Sequence, residues 1–263
     1  MNKLQEIVAN KRSEVAAWKA VRPLAGLKAL AAARGAGPDF AAALVSRPVG
    51  LIAEVKRRSP SVGLIRDPFD PPAIARAYEA GGAQALSVLM DEVYFGGGEG
   101  DFRAVRDAVA LPLLYKEFVV DAWQVWHAAS LGASAVLLIV AALDEAVLAG
   151  LMDEARAAGL AVLMEVHDAD EAAVAVRLEA GIIGINNRNL KTFVTDLATT
   201  AEVIRGIPDD RVVVSESGIR DAGDVQRVRA LGVDAILVGE HLLRKDDLAG
   251  AVRAMMEPVW MSS

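Results

Sequence analysis

From residue 50 onward the chain repeats one pattern of apolar and polar positions. A short apolar run leads into a polar loop, then into a stretch with apolar residues at helical spacing, and then often into a glycine. Strand side chains return to one face every second residue and helix side chains every three to four, so the pattern alternates strand and helix. It predicts strands at 51–56, 85–89, 113–117, 135–139, 161–166, 182–186, 211–215 and 235–238. The intervening helices end near Gly81, Gly132, Gly159, Gly181 and Gly232, which suits the left-handed position just past a helix end. Asp70 before Pro71 reads as a helix N-cap with proline in the first turn. Strands that are apolar throughout, alternating with helices, indicate a parallel sheet covered on its outer face. Eight of them predict an α/β fold, a single closed (β/α)8 or TIM barrel, over an open doubly wound sheet.

Residues 1–48 carry a different pattern. Leu4, Ile7, Val8, Lys11, Val15 and Trp18 follow helical spacing, Pro23 breaks the run, and 34–38 reads as a turn. This stretch is expected to be an N-terminal helical extension packed on the barrel. The predicted organisation is one domain over 1–263, with the extension at 1–48, the barrel at 49–257 and a tail at 258–263.

The totals narrow the function. A length of 263 residues fits one barrel. Although 54% of the chain is hydrophobic, the longest apolar stretch, 133–143, contains Ser134 and is too short to cross a bilayer. The first residues carry charges every few positions and show no signal-peptide core. With no cysteine, disulfides, thiolate metal sites and a cysteine nucleophile are excluded, and a reducing, cytoplasmic location is expected. A net charge of -7 argues against nucleic acid as a partner. The cationic, hydroxyl-rich stretch Lys56-Arg57-Arg58-Ser59-Pro60-Ser61 is a local exception. It suggests a small anionic ligand.

Barrels of this kind carry their sites at the C-terminal ends of the strands. There the chain offers Glu54 and Lys56, Asp91 through Phe95, Lys116 through Phe118, Glu165, Asn186 through Asn189, Ser215 through Gly218, and Gly239-Glu240. Glu54 and Lys56 are two apart and so share a face. Taken singly, each group has a structural reading: an ion pair for Glu54–Lys56, a snorkelling head for Lys116, a loop hydrogen bond for Glu165, a turn for Asn186. Their joint arrival at one rim from five strands favours a site. Ser217-Gly218 and Gly239-Glu240 fall after the seventh and eighth strands, the usual phosphate cradle of the fold. From the residues alone, the rim also fits a Schiff-base aldolase or a barrel that binds phosphorylated metabolites without turnover. The glycines at 96–100 do not make a dinucleotide fingerprint and read as a mobile loop. His127, His167 and His241 show no metal-ligand spacing. His127 reads as a helix-surface residue, and Trp123 and Trp126 as helix packing.

Seven stretches in order resemble the indole-3-glycerol phosphate synthase family: EVKRRSPSVGLI at 54–65, LSVLMDEVYFGG at 86–97, KEFVVD at 116–121, MEVH at 164–167, GINNRNL at 184–190, SESGI at 215–219 and LVGEHLLR at 237–244. The resemblance covers nearly the whole chain. It implies a decarboxylating ring closure and dehydration of 1-(2-carboxyphenylamino)-1-deoxyribulose 5-phosphate in tryptophan biosynthesis, with no metal and no organic cofactor. It implies Lys116 as the first acid, Lys56 and Glu165 in later proton transfers, and Glu54 as the group that positions and balances the lysines. Asn186 and Glu216 would hold substrate hydroxyls and the region of the ring nitrogen, and Arg188 the anthranilate carboxylate. Phe95 and Phe118 would line the aromatic slot, and Ser59, Ser217, Gly218, Gly239 and Glu240 the phosphate end, Glu240 through its backbone only. The first helix would lie over the barrel mouth. The implied partner is a phosphorylated small molecule, and the resemblance is compatible with a monomer or with a partner in a tryptophan-pathway complex. The chain departs from the family pattern at Met90 and Gly98, where small hydroxyl residues are usual, at Glu117, where aspartate is usual, and at Tyr115, where arginine is common.

Overall fold

The computed structural model describes residues 3–189 and 194–261. Leu190, which ends the GINNRNL stretch, and Met1, Asn2, Ser262 and Ser263 at the two ends lie outside them. Three helices come first, α1 (Lys3–Val21), α2 (Leu24–Arg34) and α3 (Phe40–Leu44). The helical stripe expected for α1 is its buried face: Leu4, Ile7, Val8, Lys11 and Val15. The alternation then runs β1 (Gly50–Val55), α4 (Pro71–Gly81), β2 (Ala85–Leu89), α5 (Glu92–Phe95), α6 (Glu99–Ala108), β3 (Leu113–Lys116), α7 (Ala122–Leu131), β4 (Ala135–Ile139), α8 (Glu145–Ala157) and β5 (Ala161–Val166). It continues through α9 (Ala169–Arg177), β6 (Ile182–Asn186), α10 (Ala198–Val203), β7 (Val212–Glu216), α11 (Ala222–Arg229), β8 (Ala235–Val238), α12 (Glu240–Leu243) and α13 (Leu248–Trp260). The eight strands close into a parallel barrel in chain order, β8 returning to β1 with Ile52 opposite Leu237. Among the described residues, no helix is long and apolar enough to cross a membrane.

Five strands have the expected bounds, β3 ends one residue earlier, and β1 and β7 are each shifted by one residue. The shift at β7 matters, because it extends the strand through Glu216 and pairs that residue with Asn186 of β6. Inside the barrel, Ile52, Ala85, Leu114, Leu163, Val214 and Leu237 pack together with Phe40 and Leu44 of α3. α3 therefore packs into the end of the barrel opposite the strand C-termini. A Cβ on Gly50 would run into the carbonyl oxygen of Leu44, so this packing needs glycine there. Two residues on from Ile52, Leu114, Leu163 and Val214 come Glu54, Lys116, Glu165 and Glu216. Period-two alternation thus turns an apolar inner layer into an ionisable one at the strand ends.

Aspartate starts most helices. Asp39, Asp70, Asp91, Asp121, Asp168, Asp221 and Asp247 each accept a backbone N–H of the first turn. The left-handed helix ends fall at Gly132, Gly159 and Gly232 as expected, but at Gly82 instead of Gly81 and at Glu179 instead of Gly181. Gly81 is still within α4, and its neighbour is equally free of a Cβ. Residues 96–100 are not a loop throughout. Gly96 caps α5 with a left-handed φ of 67° and α6 starts at Glu99.

His127 is not a surface residue. Its ring stacks on Trp123 at 4.8 Å. Nδ1 lies 3.1 Å from the Tyr115 hydroxyl and Nε2 3.0 Å from Glu99. Burial pushes the imidazole pKa down against the pull of Glu99. Tyr115 thereby has a buried polar partner.

Candidate active site

A cavity of about 520 Å³ opens at the C-terminal ends of the strands. The residues to which the resemblance gives a role line it: Glu54, Lys56, Ser59, Phe95, Lys116, Phe118, Glu165, Asn186, Arg188, Glu216, Ser217, Gly218, Gly239 and Glu240. Lys3, Leu4 and Ile7 line it too, so α1 lies over the mouth.

The floor is an ion network. Lys56 Nζ lies 2.6 Å from Glu54 Oε1. Lys116 Nζ lies 2.7 Å from Glu216 Oε2 and 3.3 Å from Glu165 Oε2. Asn186 Nδ2 donates to the other oxygen of Glu165 at 3.2 Å, and its Oδ1 accepts from the backbone N–H of Arg188 at 3.0 Å. Lys116 therefore does not snorkel. It is held between strands β5 and β7, with its side chain 13% exposed.

These contacts set the charges. Burial disfavours the ammonium of Lys116, but Glu216, Glu165 and Glu54 together outweigh it and raise its pKa. Burial also disfavours ionised Glu54, and Lys56 with Lys116 reverses that, so its pKa is lowered. Glu165 goes well below the usual carboxylate range: burial opposes ionisation, but Lys116, His167 and Asn186 win. Glu216 goes the other way, up to about 7, through burial and the negative charges of Glu165 and Glu54, only partly offset by Lys116. Two carboxylates that flank one ammonium are thus pushed apart in acidity. Glu216 Oε1 is buried without a hydrogen-bond partner. A Cβ on Gly184 would run into that oxygen, so glycine at 184 makes its room. In the same way, a Cβ on Gly239 would come within 2.7 Å of Glu54 Oε1.

At the rim the rings of Phe95 and Phe118 lie 6.0 Å apart at 38°, an apolar slot. Ser59 approaches Ser61 at 3.3 Å, and Arg188 donates to Ser61 Oγ at 2.7 Å. Ser217 and Gly218 are both left-handed, at φ 67° and 85°. Asn187 fixes this turn by donating to Ser215 Oγ and to the carbonyls of Glu216 and Ser217. Glu240 Oε1 accepts from Arg244 at 3.0 and 3.1 Å, and its Oε2 lies 4.0 Å from the Arg188 guanidinium. Arg57 and Arg58 do not line the cavity, contrary to the cationic cluster expected there. The Arg57 guanidinium sits 5.2 Å over the ring of Phe69, and Arg58 donates to the carbonyls of Glu92 and Val93. After Lys56 the chain leaves the barrel for a hairpin of Arg58–Ser59 with Gly63–Leu64, which points these arginines outward.

Sequence reasoning passed over His167, which lies 3.2 Å from Glu165, because it looked only for metal spacing. It also left Lys11 as one more residue on a helix stripe. A lysine in an apolar stripe is itself the signal of a buried partner. Among the described residues, no cluster of three or more side chains is arranged to hold a metal ion.

The family model for indole-3-glycerol phosphate synthase matches residues 4–255 of the chain. An indole-3-glycerol phosphate synthase of Rhizorhabdus wittichii is 48% identical over 259 residues, which span 97% of this chain and 98% of that protein. One of Azospirillum brasilense is 45% identical over 258 residues, spanning 96% and 98%. Among solved structures, thiamine phosphate pyrophosphorylase from Pyrococcus furiosus superposes with a TM-score of 0.62 at 17% identity, covering 81% of this chain and 96% of that one. At that identity the likeness is one of fold.

Proposed function

The chain belongs to the indole-3-glycerol phosphate synthase family, and from that premise we propose how its cavity performs the family's carboxy-lyase reaction. The substrate is a phosphorylated small molecule, 1-(2-carboxyphenylamino)-1-deoxyribulose 5-phosphate. Its aryl carbon bearing the carboxylate attacks the ketone while an acid protonates the carbonyl oxygen. Carbon dioxide then leaves, and its bonding electrons restore the aromatic ring. Loss of the new hydroxyl as water, with loss of a proton from the neighbouring carbon, gives the indole.

Lys116 is the acid of the first step. The observation that carries this is its ammonium, bracketed at 2.7 Å and 3.3 Å by Glu216 and Glu165 on the cavity floor. Those carboxylates keep it protonated, so it is a proton donor and not an amine nucleophile, which disfavours the aldolase reading. Glu165, ionised in the resting site, and Lys56, paired with Glu54, take the later proton transfers. Asn186 and the unsatisfied Oε1 of Glu216 hold the substrate's hydroxyl and amine donors. The slot between Phe95 and Phe118 takes the aryl ring, and Arg188, a planar fork, takes its carboxylate. Ser59, Ser217 and the backbone at Gly218, Gly239 and Glu240 take the phosphate.

The test is turnover of that substrate, read by indole fluorescence, in the parent chain and in Lys116→Ala. Loss of at least about 100-fold in kcat with the fold intact is expected for removal of a general acid. Turnover within a fewfold of the parent would overturn the role of Lys116. Borohydride with a sugar phosphate is expected to leave Lys116 unmodified, and a trapped adduct there would favour the aldolase.

A further inference from the structure

His167 lies beside Glu165 and takes no part in the steps above. It follows the last residue of β5 and shares the inward face with Glu165, two positions earlier. Its Nε2, buried without a hydrogen-bond partner, lies within ion-pair distance of Glu165 Oε1 at 3.2 Å, and its Nδ1 is 3.0 Å from Glu171 Oε2. Glu171 is itself fixed. The same oxygen accepts the backbone N–H of His167 at 2.8 Å, and the N–H of Glu171 is held by Asp168, the N-cap of α9. The imidazole is therefore clamped between two carboxylates and is 10% exposed.

A neutral imidazole has one donor and one bare acceptor nitrogen. Between two carboxylates the bare nitrogen would face negative charge, so the ring takes its second proton. Burial opposes that charge, but Glu165 and Glu171 prevail and hold the pKa up at about 10. The charged groups facing the ring are Glu165 on β5 and Glu171 on α9. Lys116 on β3 faces it across Glu165, Asn186 on β6 is neutral, and the turn Val140–Ala142 brings no ionisable group.

We propose that His167 is a positioning residue for the ring closure: clamped by Glu171, its imidazolium holds Glu165 ionised. Glu165 then has a cation at each oxygen, Lys116 on Oε2 and His167 on Oε1, with Asn186 also on Oε1. Lys116 and Asn186 orient the carboxylate by hydrogen bonds, and the imidazolium adds a second positive charge beside it, so its proton-accepting form is present before substrate arrives. The inference rests on Glu165 as a proton-transfer group. It adds a means by which the chain sets that group's charge, through a residue that touches no substrate.

The experiment is the pH dependence of kcat and KM for the parent, His167→Asn, Glu171→Gln and Glu165→Gln. In His167→Asn we expect kcat to fall by about 10- to 100-fold with KM within about threefold, as for a group acting through a proton-transfer partner. The acid limb of the kcat profile should move up by about one pH unit, since loss of the imidazolium makes Glu165 easier to protonate. Glu171→Gln should move both in the same direction by less. If Glu165→Gln keeps the parent rate, the role of Glu165 itself fails. If Glu165→Gln is inactive while His167→Asn keeps both the parent kcat and the acid limb, the role of His167 alone is overturned. Nitrogen shifts of the His167 ring in the parent enzyme give a readout that needs no variant to fold. A doubly protonated ring at about pH 7.5 is expected, and a neutral ring there would sink the proposal.

Discussion

Lys11 of α1 and Glu117, the residue after Lys116, meet at 3.0 Å, each with its side chain only 1% exposed. The same ammonium lies 2.9 Å from Asp91 and 2.7 Å from Glu14. One buried cation therefore joins the extension to the ends of two adjacent barrel strands, and one of those strands carries the acid. Asp91 also caps α5, accepting from the N–H of Tyr94 at 2.6 Å. The junction that holds α1 over the cavity thus also caps the helix that carries Phe95.

Lys11→Met keeps the length of the side chain and removes its charge, leaving Asp91 and Glu117 buried without their cation. A loss of about 3–5 kcal/mol is expected for breaking such a buried cluster from one side. Urea unfolding should show it as a lower midpoint at unchanged slope. An unaltered midpoint would mean that the cluster contributes nothing to holding the extension.

Glu117 gives a pH signature. Burial pushes its pKa up to about 7 from an ordinary value near 4.5; Lys11 opposes the rise and Asp91 adds to it. An acid whose folded pKa is raised favours the folded state most below its unfolded pKa, and that contribution is lost as pH rises through the folded one. The parent should accordingly lose stability from Glu117 between about pH 4.5 and 7. Glu117→Gln removes the titration, so its stability relative to the parent should rise across that window. A constant difference between the two unfolding curves over the window would contradict the assignment.

Gly184→Ala places a methyl group where Glu216 Oε1 now sits. Overpacking of this kind costs about 1–3 kcal/mol. The larger effect should be on turnover, because a displaced Glu216 no longer holds Lys116 at 2.7 Å. A fall of about 10-fold or more in kcat is expected from misplacing the acid, with far-ultraviolet circular dichroism unchanged. Parent-level kcat in this variant would show that the position of Glu216 is unimportant.

Asn187→Asp changes one group in a fully used set. The amide donates to Ser215 Oγ and two carbonyls, and its Oδ1 accepts from the N–H and hydroxyl of Thr200. A carboxylate there would face those carbonyls with no donor. Leaving buried polar groups unsatisfied costs about 1–3 kcal/mol each, so the melting temperature should drop by several degrees at least. The turn at Ser217-Gly218 should loosen with it and raise KM for the phosphorylated substrate. A melting temperature equal to the parent's would remove Asn187 from this role.

Much of the candidate site is legible in the sequence because its residues fall where a local rule places them. Glu54, Lys116 and Glu165 each sit two positions after an inward apolar residue, at the end of a run that reads as a strand. His127 shows the limit of such rules. Its helix is legible in the sequence, but whether one position on a helix faces solvent or a neighbouring element depends on what packs there. Trp123, Tyr115 and Glu99 come from three different segments to bury it. Arg57 and Arg58 fail for a related reason. Adjacency to Lys56 says nothing about the hairpin that turns both arginines away from the cavity.

The sequence by itself determined the succession of strands and helices, their closure into a barrel as the expected class, and the chemical types delivered to the rim. Those features arise from side-chain period and helix-end chemistry, which act over a few residues. Only the tertiary structure decided which charges meet. Lys11 and Glu117 are 106 residues apart, Lys116 and Glu216 are 100 apart, and Lys116 and Glu165 are 49 apart. Each pairing depends on the closed barrel and its register, in which Asn186 is opposite Glu216. No periodic pattern encodes those distances. The acidity of each group depends on them, because burial disfavours its charged form and a neighbouring opposite charge favours it. Glu165 and Glu216 are the same residue type at equivalent strand ends. Lys116, His167 and Asn186 hold Glu165 ionised against burial, whereas burial with the charges of Glu165 and Glu54 raises the pKa of Glu216 against Lys116.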